Sequence, residues 1–289
     1  MARSVLSHVR GSRLAAMSEL ARSPVISGKA HPAVRRLLAR SYAGFTEATE
    51  PAGEFVLPAT TSVLLILKIE DSVLRPPQFV NGVHGSWQRI EGECAPSYLE
   101  VWLAPLGAYA VLGLPMDELN GQMVDLYDVL EGQGDRLAEQ VRDAPSWQRR
   151  FELIDEFLLR RMDRGRAPDP QVAAAWRRVV ADGGAARIGA VAREVGWSHK
   201  HLIAKFRQQV GLTPKTASQL VRLERVWQLL ASNRASRWEQ IAVEAGYADQ
   251  AHLIRDFRRF TGTSPTALLG PGRRGGEVNF VQDAAAVAS

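Results

Sequence analysis

The chain has 289 residues, of which 46% are hydrophobic and 23% charged, which suits a globular protein of about two domains. The charges that sum to its net charge of +5 are distributed unevenly along the chain. Lys and Arg outnumber Asp and Glu by 8 to 1 over residues 1–40 and by 16 to 7 over residues 170–273. Over residues 41–169, Asp and Glu outnumber Lys and Arg by 21 to 11. The single cysteine, Cys94, excludes an internal disulfide, and the longest apolar runs are shorter than the roughly 20 residues that span a bilayer. We therefore expect a cytoplasmic protein with no membrane contact, whose basic C-terminal third binds nucleic acid.

The N-terminal half begins with residues 1–30, an Arg- and Ser-rich segment that we expect to be a flexible leader. Residues 31–41 carry apolar positions at helical spacing and predict a short amphipathic helix. Short apolar runs follow at 55–58, 63–69, 78–80 and 98–103, separated by Pro, Gly and Asn as in a small β-structure. The continuously apolar run 63–67 predicts a strand buried on both faces, and Asn81, Gly82 and Gly85 predict a hairpin turn.

Helical spacing returns after Pro115. One apolar face contains Met123, Leu126, Tyr127 and Leu130, and another, within residues 146–162, contains Phe151, Ile154, Phe157 and Leu158. For residues 31–162 we expect an α+β domain, a sheet or small β half-barrel followed by two or three helices. Two prolines and a glycine at 163–171 mark the domain boundary, with the linker at 163–169.

Few polar residues of this half could carry chemistry: His84, Trp87, Glu91, Glu93, Cys94 and Glu100. His84 has no second histidine nearby and the acids are scattered, so we expect no metal site. Cys94 has no histidine or basic residue beside it to lower its pKa, which favours a structural thiol. Since hydrolase, phosphate-loop and zinc-protease motifs are missing as well, we expect no catalytic residue and no cofactor.

The C-terminal half contains one pattern twice. Residues 187–214, RIGAVAREVGWSHKHLIAKFRQQVGLTP, predict a helix, a glycine turn, a second helix and a glycine stop. The second copy, at 241–265, repeats the pairs Ala192/Ala242, Glu194/Glu244, Gly196/Gly246, Trp197/Tyr247, Leu202/Leu253, Phe206/Phe257, Gly211/Gly262 and Pro214/Pro265. We expect an all-α double helix-turn-helix domain over residues 170–269, followed by a tail at 270–289.

The second helix of each copy is the one expected to read DNA. Gly196 and Gly246 supply the left-handed conformation that the turn needs, and Ser198 and Asp249 are good N-caps. With leucine and phenylalanine facing inward, the outward residues predicted to read bases are His199, Lys200, Ala204, Gln250, Ala251 and Arg255. Predicted phosphate contacts are Ser198, Lys205, Arg207, Arg258 and Arg259. For His201 and His252 we favour a structural role over base reading.

Residues 216–231 between the copies predict one helix with Leu220, Leu223, Trp227 and Leu230 on its buried face. Its length of about 24 Å could hold the reading helices near the 34 Å repeat of B-DNA. Because the outward residues of the copies differ, the expected DNA site is asymmetric and readable by a monomer.

The run from about residue 170 to 269 resembles the C-terminal DNA-binding domain of AraC/XylS transcriptional regulators. The matching segments are AREVGWS, LIAKFRQQVGLTP, the pair Arg222 and Leu223, IAVEAGY and HLIRDFRRFTGTSP. The resemblance implies base contacts at Lys200, Ala204, Gln250, Ala251 and Arg255, with the two alanines limited to thymine methyl groups. The N-terminal half is similar to a sensor domain of some actinobacterial members, through HPAVRRLLARSYAGF, VWLAPLGAYAVLGLPMDEL and FVQD, which implies effector binding or dimerisation.

These features predict a sequence-specific regulator of bacterial promoters that binds double-stranded DNA and touches or excludes RNA polymerase. Two alternatives remain open at this point. A nonspecific nucleoid-type binder would have equal affinity for any duplex, and a fused repair regulator would transfer an alkyl group to Cys94.

Overall fold

The structure, a computed structural model, describes residues 25–46, 53–70, 78–92, 97–231, 237–265 and 267. The first 24 residues of the leader, Glu93, Cys94 and the tail at 270–289 lie outside the described residues. A β-sheet with helices forms the N-terminal part, and helices alone form the rest. This arrangement confirms the predicted fold class.

The described residues form eight strands in two antiparallel sheets. They are β1 (Val25–Gly28), β2 (Tyr42–Phe45), β3 (Gly53–Leu57), β4 (Val63–Lys68), β5 (Gln78–Asn81), β6 (Gln88–Gly92), β7 (Tyr98–Leu103) and β8 (Met123–Asp125). Six of them form one sheet in the order β1-β2-β7-β4-β5-β8, and β3 pairs with β6. The four segments predicted as strands correspond to β3, β4, β5 and β7.

Strand β4 lies near the centre of the six-stranded sheet and is buried along its whole length. Val63, Leu65 and Leu67 belong to the large core formed with the helices. Leu64 and Ile66 belong to a second apolar cluster on the opposite face. The prediction of a strand buried on both faces is therefore confirmed, because successive side chains of a strand alternate between faces.

Three local predictions for this half were wrong. Residues 25–28, placed in the flexible leader, form β1 and pair with β2. The helix predicted at 31–41 is only a 3₁₀ turn at Arg35–Leu37. The hairpin predicted at residues 81–85 does not form, since β5 pairs with β4 and β8 while β6 pairs with β3. Glycine is needed at position 82 for close packing and not for a hairpin turn, because a Cβ there would overlap the Leu119 carbonyl.

Four helices cover or flank the sheet: α1 (Pro105–Leu112), α2 (Leu126–Leu130), α3 (Gly132–Asp143) and α4 (Trp147–Arg164). The sequence predicted a helical face from Met123 onward, but Met123 lies in β8 and α2 begins only at Leu126. The Asp125 side chain caps α2 by accepting a hydrogen bond from the Tyr127 amide. Tyr127 is exposed, against expectation. In α4 the predicted face is buried at all four positions, Phe151, Ile154, Phe157 and Leu158.

Six further helices form the C-terminal part: α5 (Pro170–Ala181), α6 (Ile188–Glu194), α7 (His199–Val210), α8 (Pro214–Ala231), α9 (Trp238–Glu244) and α10 (Gln250–Thr261). Since α4 continues to Arg164, the connection between the parts is residues 165–169, two shorter than the predicted linker. In the described part of the chain no helix has both the length and the apolar composition that a bilayer span requires.

Two glycines let α4 lie close to the edge of the sheet. A Cβ at Gly28 or Gly44 would overlap the ring of Phe151 or Trp147, respectively. Tyr42 on β2 stacks on Phe151 with ring centroids 5.8 Å apart, and its hydroxyl donates to Asp155 at 2.8 Å. The strand that the sequence placed in the leader is thus part of the support for α4.

We predict that Gly44→Ala lowers the free energy of unfolding by about 2 kcal/mol, since the added methyl group must displace the Trp147 ring or α4 itself. Gly189→Ala is the matched control, because a Cβ at that exposed position in α6 meets nothing within 4 Å. This control should raise stability by roughly 0.5 to 1 kcal/mol through helix propensity. Urea unfolding of both variants measures the difference, and equal effects would contradict the close approach.

Candidate nucleic-acid interface

The two sequence copies fold into two matching helix-turn-helix units, unit 1 (α6 and α7) and unit 2 (α9 and α10). Gly196 and Gly246 at the turns have φ of +74° and +79°. In unit 1 the amide of Trp197 donates to Ala192 at 2.9 Å, and in unit 2 that of Tyr247 donates to Ala242 at 2.8 Å. The repeated residues therefore form the same turn twice.

Each reading helix begins at a side-chain cap. The Ser198 hydroxyl oxygen accepts from the His201 amide at 3.2 Å, and the Asp249 carboxylate accepts from the His252 amide at 2.6 Å. These bonds satisfy one of the amides that a helix start leaves without a partner.

The histidines next to the caps contact the aromatic residue of the turn. His201 lies edge-on to Trp197, with ring centroids 4.5 Å apart and an interplanar angle of 83°. His252 lies edge-on to Tyr247 at 5.1 Å and 88°. This contact joins turn and reading helix in both units, which supports the structural role favoured for the histidines. Sequence reasoning missed the aromatic partner, although an aromatic residue follows both turn glycines.

The outward faces of the reading helices are as the helical spacing predicts. Leu202, Phe206, Leu253 and Phe257 are fully buried. The predicted base-reading residues all lie on the opposite side: His199, Lys200, Ala204, Ala251 and Arg255 are exposed, and Gln250 is half-buried. The structure thus gathers three of these residues on each unit, near the N-terminal end of the helix.

The predicted phosphate contacts differ between the units. In unit 1, Lys205 Nζ lies 3.6 Å from Asp169 and Arg207 Nε lies 3.7 Å from Asp117. In unit 2, Arg259 donates to the Gln219 amide oxygen at 3.4 Å. Arg258 is exposed, and no ion pair joins it to any other residue that the structure describes. Asp117, in the N-terminal part, is a neighbour of unit 1 that sequence reasoning did not find.

The C-terminal end of α7 is held by the N-terminal part. The Met116 amide donates to the Gln208 carbonyl at 2.8 Å, and the Asn120 side chain donates to the Gly211 carbonyl at 2.7 Å. Val83 lies where a Cβ on Gly211 would stand.

The C-terminal end of α10 is held by the same region. The Ala59 amide donates to the Phe260 carbonyl at 2.7 Å, and the Trp87 ring lies against Gly262. The loop that contains Val83 and Trp87 therefore touches the ends of both reading helices.

Helix α8 joins the two units along one rigid rod. Its 18 residues span about 27 Å at 1.5 Å per residue. The four predicted core positions, Leu220, Leu223, Trp227 and Leu230, are buried. Trp227 packs on Phe257 of α10 with ring centroids 5.0 Å apart, which fixes unit 2 against the rod.

His84 and Glu100, two of the polar candidates of the N-terminal half, have contacts within the protein. His84 is buried with Nδ1 3.0 Å from the Ser86 carbonyl, and burial lowers its pKa, so the ring is neutral at pH 7. Glu100 accepts from the Trp102 indole at 2.8 Å. Among the described residues no group of three or more His, Cys, Asp or Glu is arranged to hold a metal ion. Cys94 lies outside them.

A family profile described as "Helix-turn-helix domain" matches residues 191–270, and no curated protein matches the chain. Among solved structures, the C-terminal domain of AraT, a response regulator from Geobacillus stearothermophilus, is 22% identical and covers 35% of this chain and 84% of its own, with a TM-score of 0.33. ToxT from Vibrio cholerae is 11% identical, covers 78% of this chain and 97% of its own, and has a TM-score of 0.43.

ToxT bound to (E)-4-(8-methylnaphthalen-1-yl)but-3-enoic acid is 9% identical, with the same coverage and TM-score. All three TM-scores are below 0.5, so no argument about function rests on these likenesses.

We predict that Ser198→Ala and Asp249→Ala each lower the free energy of unfolding by about 1 kcal/mol, because the capped amide loses its acceptor. Asp249→Asn is the control, since asparagine caps about as well as aspartate. Urea unfolding distinguishes the two substitutions of Asp249. A loss for Asp249→Asn as large as for Asp249→Ala would show that the charge, and not the cap, stabilises α10.

Proposed function

We infer that this chain is a DNA-binding transcriptional regulator of the AraC family, and that it reads promoter sites with both units at once. The helix-turn-helix profile match at residues 191–270 supports this proposal. The observation that carries this proposal is the repeated helix-turn-helix fold, with an exposed outward face on α7 and on α10. Both are held at their C-terminal ends by one part of the protein, and both present exposed N-terminal turns.

The rod formed by α8 supports binding to two successive major-groove segments. Its length of about 27 Å is close to the 34 Å that separates equivalent groove positions on one face of B-DNA. A reading helix enters the groove with its N-terminal residues, and His199, Lys200 and Ala251 at these ends are exposed. One monomer could therefore bind two groove segments.

The two units carry different reading residues, so we propose an asymmetric site. In unit 2 the Arg255 guanidinium can donate to guanine O6 and N7, and the Gln250 amide can pair with adenine. Unit 1 offers Lys200 and His199, a thinner set of donors. Ala204 and Ala251 can contact only thymine methyl groups. Unit 2 is therefore expected to make more of the hydrogen-bonded base discrimination.

Phosphate contacts are assigned to the polar residues beside these faces: Ser198, Lys205, Arg207, Arg258 and Arg259. The Ser198 hydroxyl accepts from an amide and still has its own proton to donate to a phosphate oxygen. The excess of nine positive charges over residues 170–273, 16 Lys and Arg against 7 acids, supports the approach of DNA to this part.

For the N-terminal half we propose control of the DNA-binding half. The predicted division was residues 31–162, a linker at 163–169 and 170–269, and the contacts to α7 and α10 give the first part a direct means of influence. Ligand-induced thermal shift tests whether this half responds to an effector. Sedimentation tests whether it forms a homodimer, and cross-linking tests whether it contacts RNA polymerase.

The alternatives make different predictions. A nonspecific nucleoid-type binder would select no sequence from a random DNA library, whereas the regulator selects one discrete site. Regulators of this family are generally not enzymes, and we propose that this chain acts in the cytoplasm through binding alone. Cys94→Ser should therefore keep full regulatory activity, while an alkyl-transfer function would lose it.

We predict that Arg255→Ala weakens binding to the selected site by roughly 1 to 3 kcal/mol and relaxes specificity at one base position. Arg258→Ala, three residues along the same helix, is the matched comparison. It should weaken binding to all sequences alike and reduce the slope of log affinity against log salt by about one unit. Fluorescence anisotropy on the selected duplex, on single-base variants and on random DNA measures both effects.

The same measurements can contradict these roles. An equal loss on random and selected DNA for Arg255→Ala would make Arg255 a phosphate contact. An unchanged salt slope for Arg258→Ala would remove Arg258 from the phosphate contacts.

A further inference from the structure

A turn of the N-terminal part stands beside the outward face of α7. This acidic turn, residues 115–118, contains Asp117 and Glu118. A cleft of about 460 Å³ separates it from α7, lined by Pro115, Asp117 and Glu118 on one side and His201, Ala204, Lys205 and Gln208 on the other. One residue predicted to read bases and one predicted to bind phosphate therefore face two carboxylates.

The acidic turn also pairs with a predicted phosphate contact. Arg207 Nε lies 3.7 Å from Asp117 Oδ2, and both side chains are partly exposed to solvent. Lys205 Nζ lies 3.6 Å from Asp169 at the start of α5. Each of these two predicted phosphate contacts of unit 1 therefore has a carboxylate as its neighbour.

Unit 2 is different at the matching positions. Counting from the shared leucine and phenylalanine, Lys205 corresponds to Asp256 and Arg207 to Arg258. Asp256 is buried and accepts from Gln219 at 3.3 Å. Arg258 forms no ion pair with the described part of the chain. Among the described residues, only unit 1 therefore has a carboxylate of the N-terminal part beside one of its predicted phosphate contacts.

The acidic turn is held in place by its neighbours. Met116 is fully buried and its amide donates to the Gln208 carbonyl, while Leu119 is also buried. The Gly121 amide donates to the Val83 carbonyl at 2.8 Å. Asp117 is thus presented from a fixed backbone, so its position next to Arg207 belongs to the contact between the two parts.

We propose that the acidic turn is an autoinhibitory contact in which Asp117 competes with DNA phosphate for Arg207, so that unit 1 binds DNA only when this ion pair breaks. The Asp117 carboxylate lies beside the guanidinium group and partly neutralises the charge that would attract a phosphate, so the two anions compete for the same cation. Glu118 adds repulsion toward the phosphates that would approach the cleft. An exposed ion pair is weak, so the contact lowers affinity without blocking binding. The inference rests on the proposed DNA binding by unit 1.

The test compares full-length variants on two DNA probes, the duplex selected from a random library and a random-sequence duplex of about 30 base pairs. Asp117→Asn with Glu118→Gln should raise affinity about three- to tenfold for both probes in about 0.1 M salt, with a smaller gain at higher salt. Glu139→Gln is the control, since Glu139 is an exposed carboxylate on α3. It should leave affinity unchanged.

A mutant cycle then tests the partner. In an Arg207→Ala background, Asp117→Asn should no longer give most of its gain in DNA affinity. In an Arg258→Ala background, the same substitution should give the full gain. An equal gain in both backgrounds would overturn competition at Arg207, as would no gain, or a loss of affinity, in the wild-type background.

The random-sequence duplex separates failure of this inference from failure of the proposed function. If the wild-type protein selects no discrete site, sequence-specific regulation fails, yet competition with phosphate is still measured on random DNA. If a site is selected but Asp117→Asn changes nothing, only the autoinhibitory contact fails.

Discussion

The contact between the N-terminal part and the C-terminal ends of both reading helices is the constraint on which the functional arrangement depends. Hydrogen bonds from Met116 and Ala59 reach carbonyls at the ends of α7 and α10, and Val83 and Trp87 lie against the glycines that follow. Such close approach needs residues without a Cβ. These contacts hold the C-terminal ends of α7 and α10 on one part of the protein.

The same contact brings opposite charges together. Residues 41–169 carry 21 acids against 11 Lys and Arg, and residues 170–273 carry 16 Lys and Arg against 7 acids. The negative electrostatic potential of an acidic domain acts on a basic surface held against it, as the potential of DNA would. The ion pair between Asp117 and Arg207 is a direct contact between the two parts of opposite charge. The N-terminal part therefore both orients unit 1 and competes for it.

The two units share a scaffold and differ in what they present. Turn glycine, capping residue and edge-on histidine recur at equivalent places, because each is required to set one helix against the next. The outward positions carry no such requirement, and there Lys200 is replaced by Ala251 and Ala204 by Arg255. Two units with the same fold and different exposed residues are suited to an asymmetric DNA site.

The sequence by itself determined the fold class, the two units, their buried and outward faces, their caps and the buried strand β4. These features depend on hydrophobic periodicity and on turn and capping residues that lie within about ten residues of one another. The local sequence is therefore sufficient to predict them. Tertiary structure alone decided that residues 25–28 form a strand, that β6 pairs with β3, and that Asp117 stands beside Arg207. Their partners lie between about 15 and 90 residues away in the sequence, and no local pattern encodes which distant segment will supply a hydrogen bond or a charge.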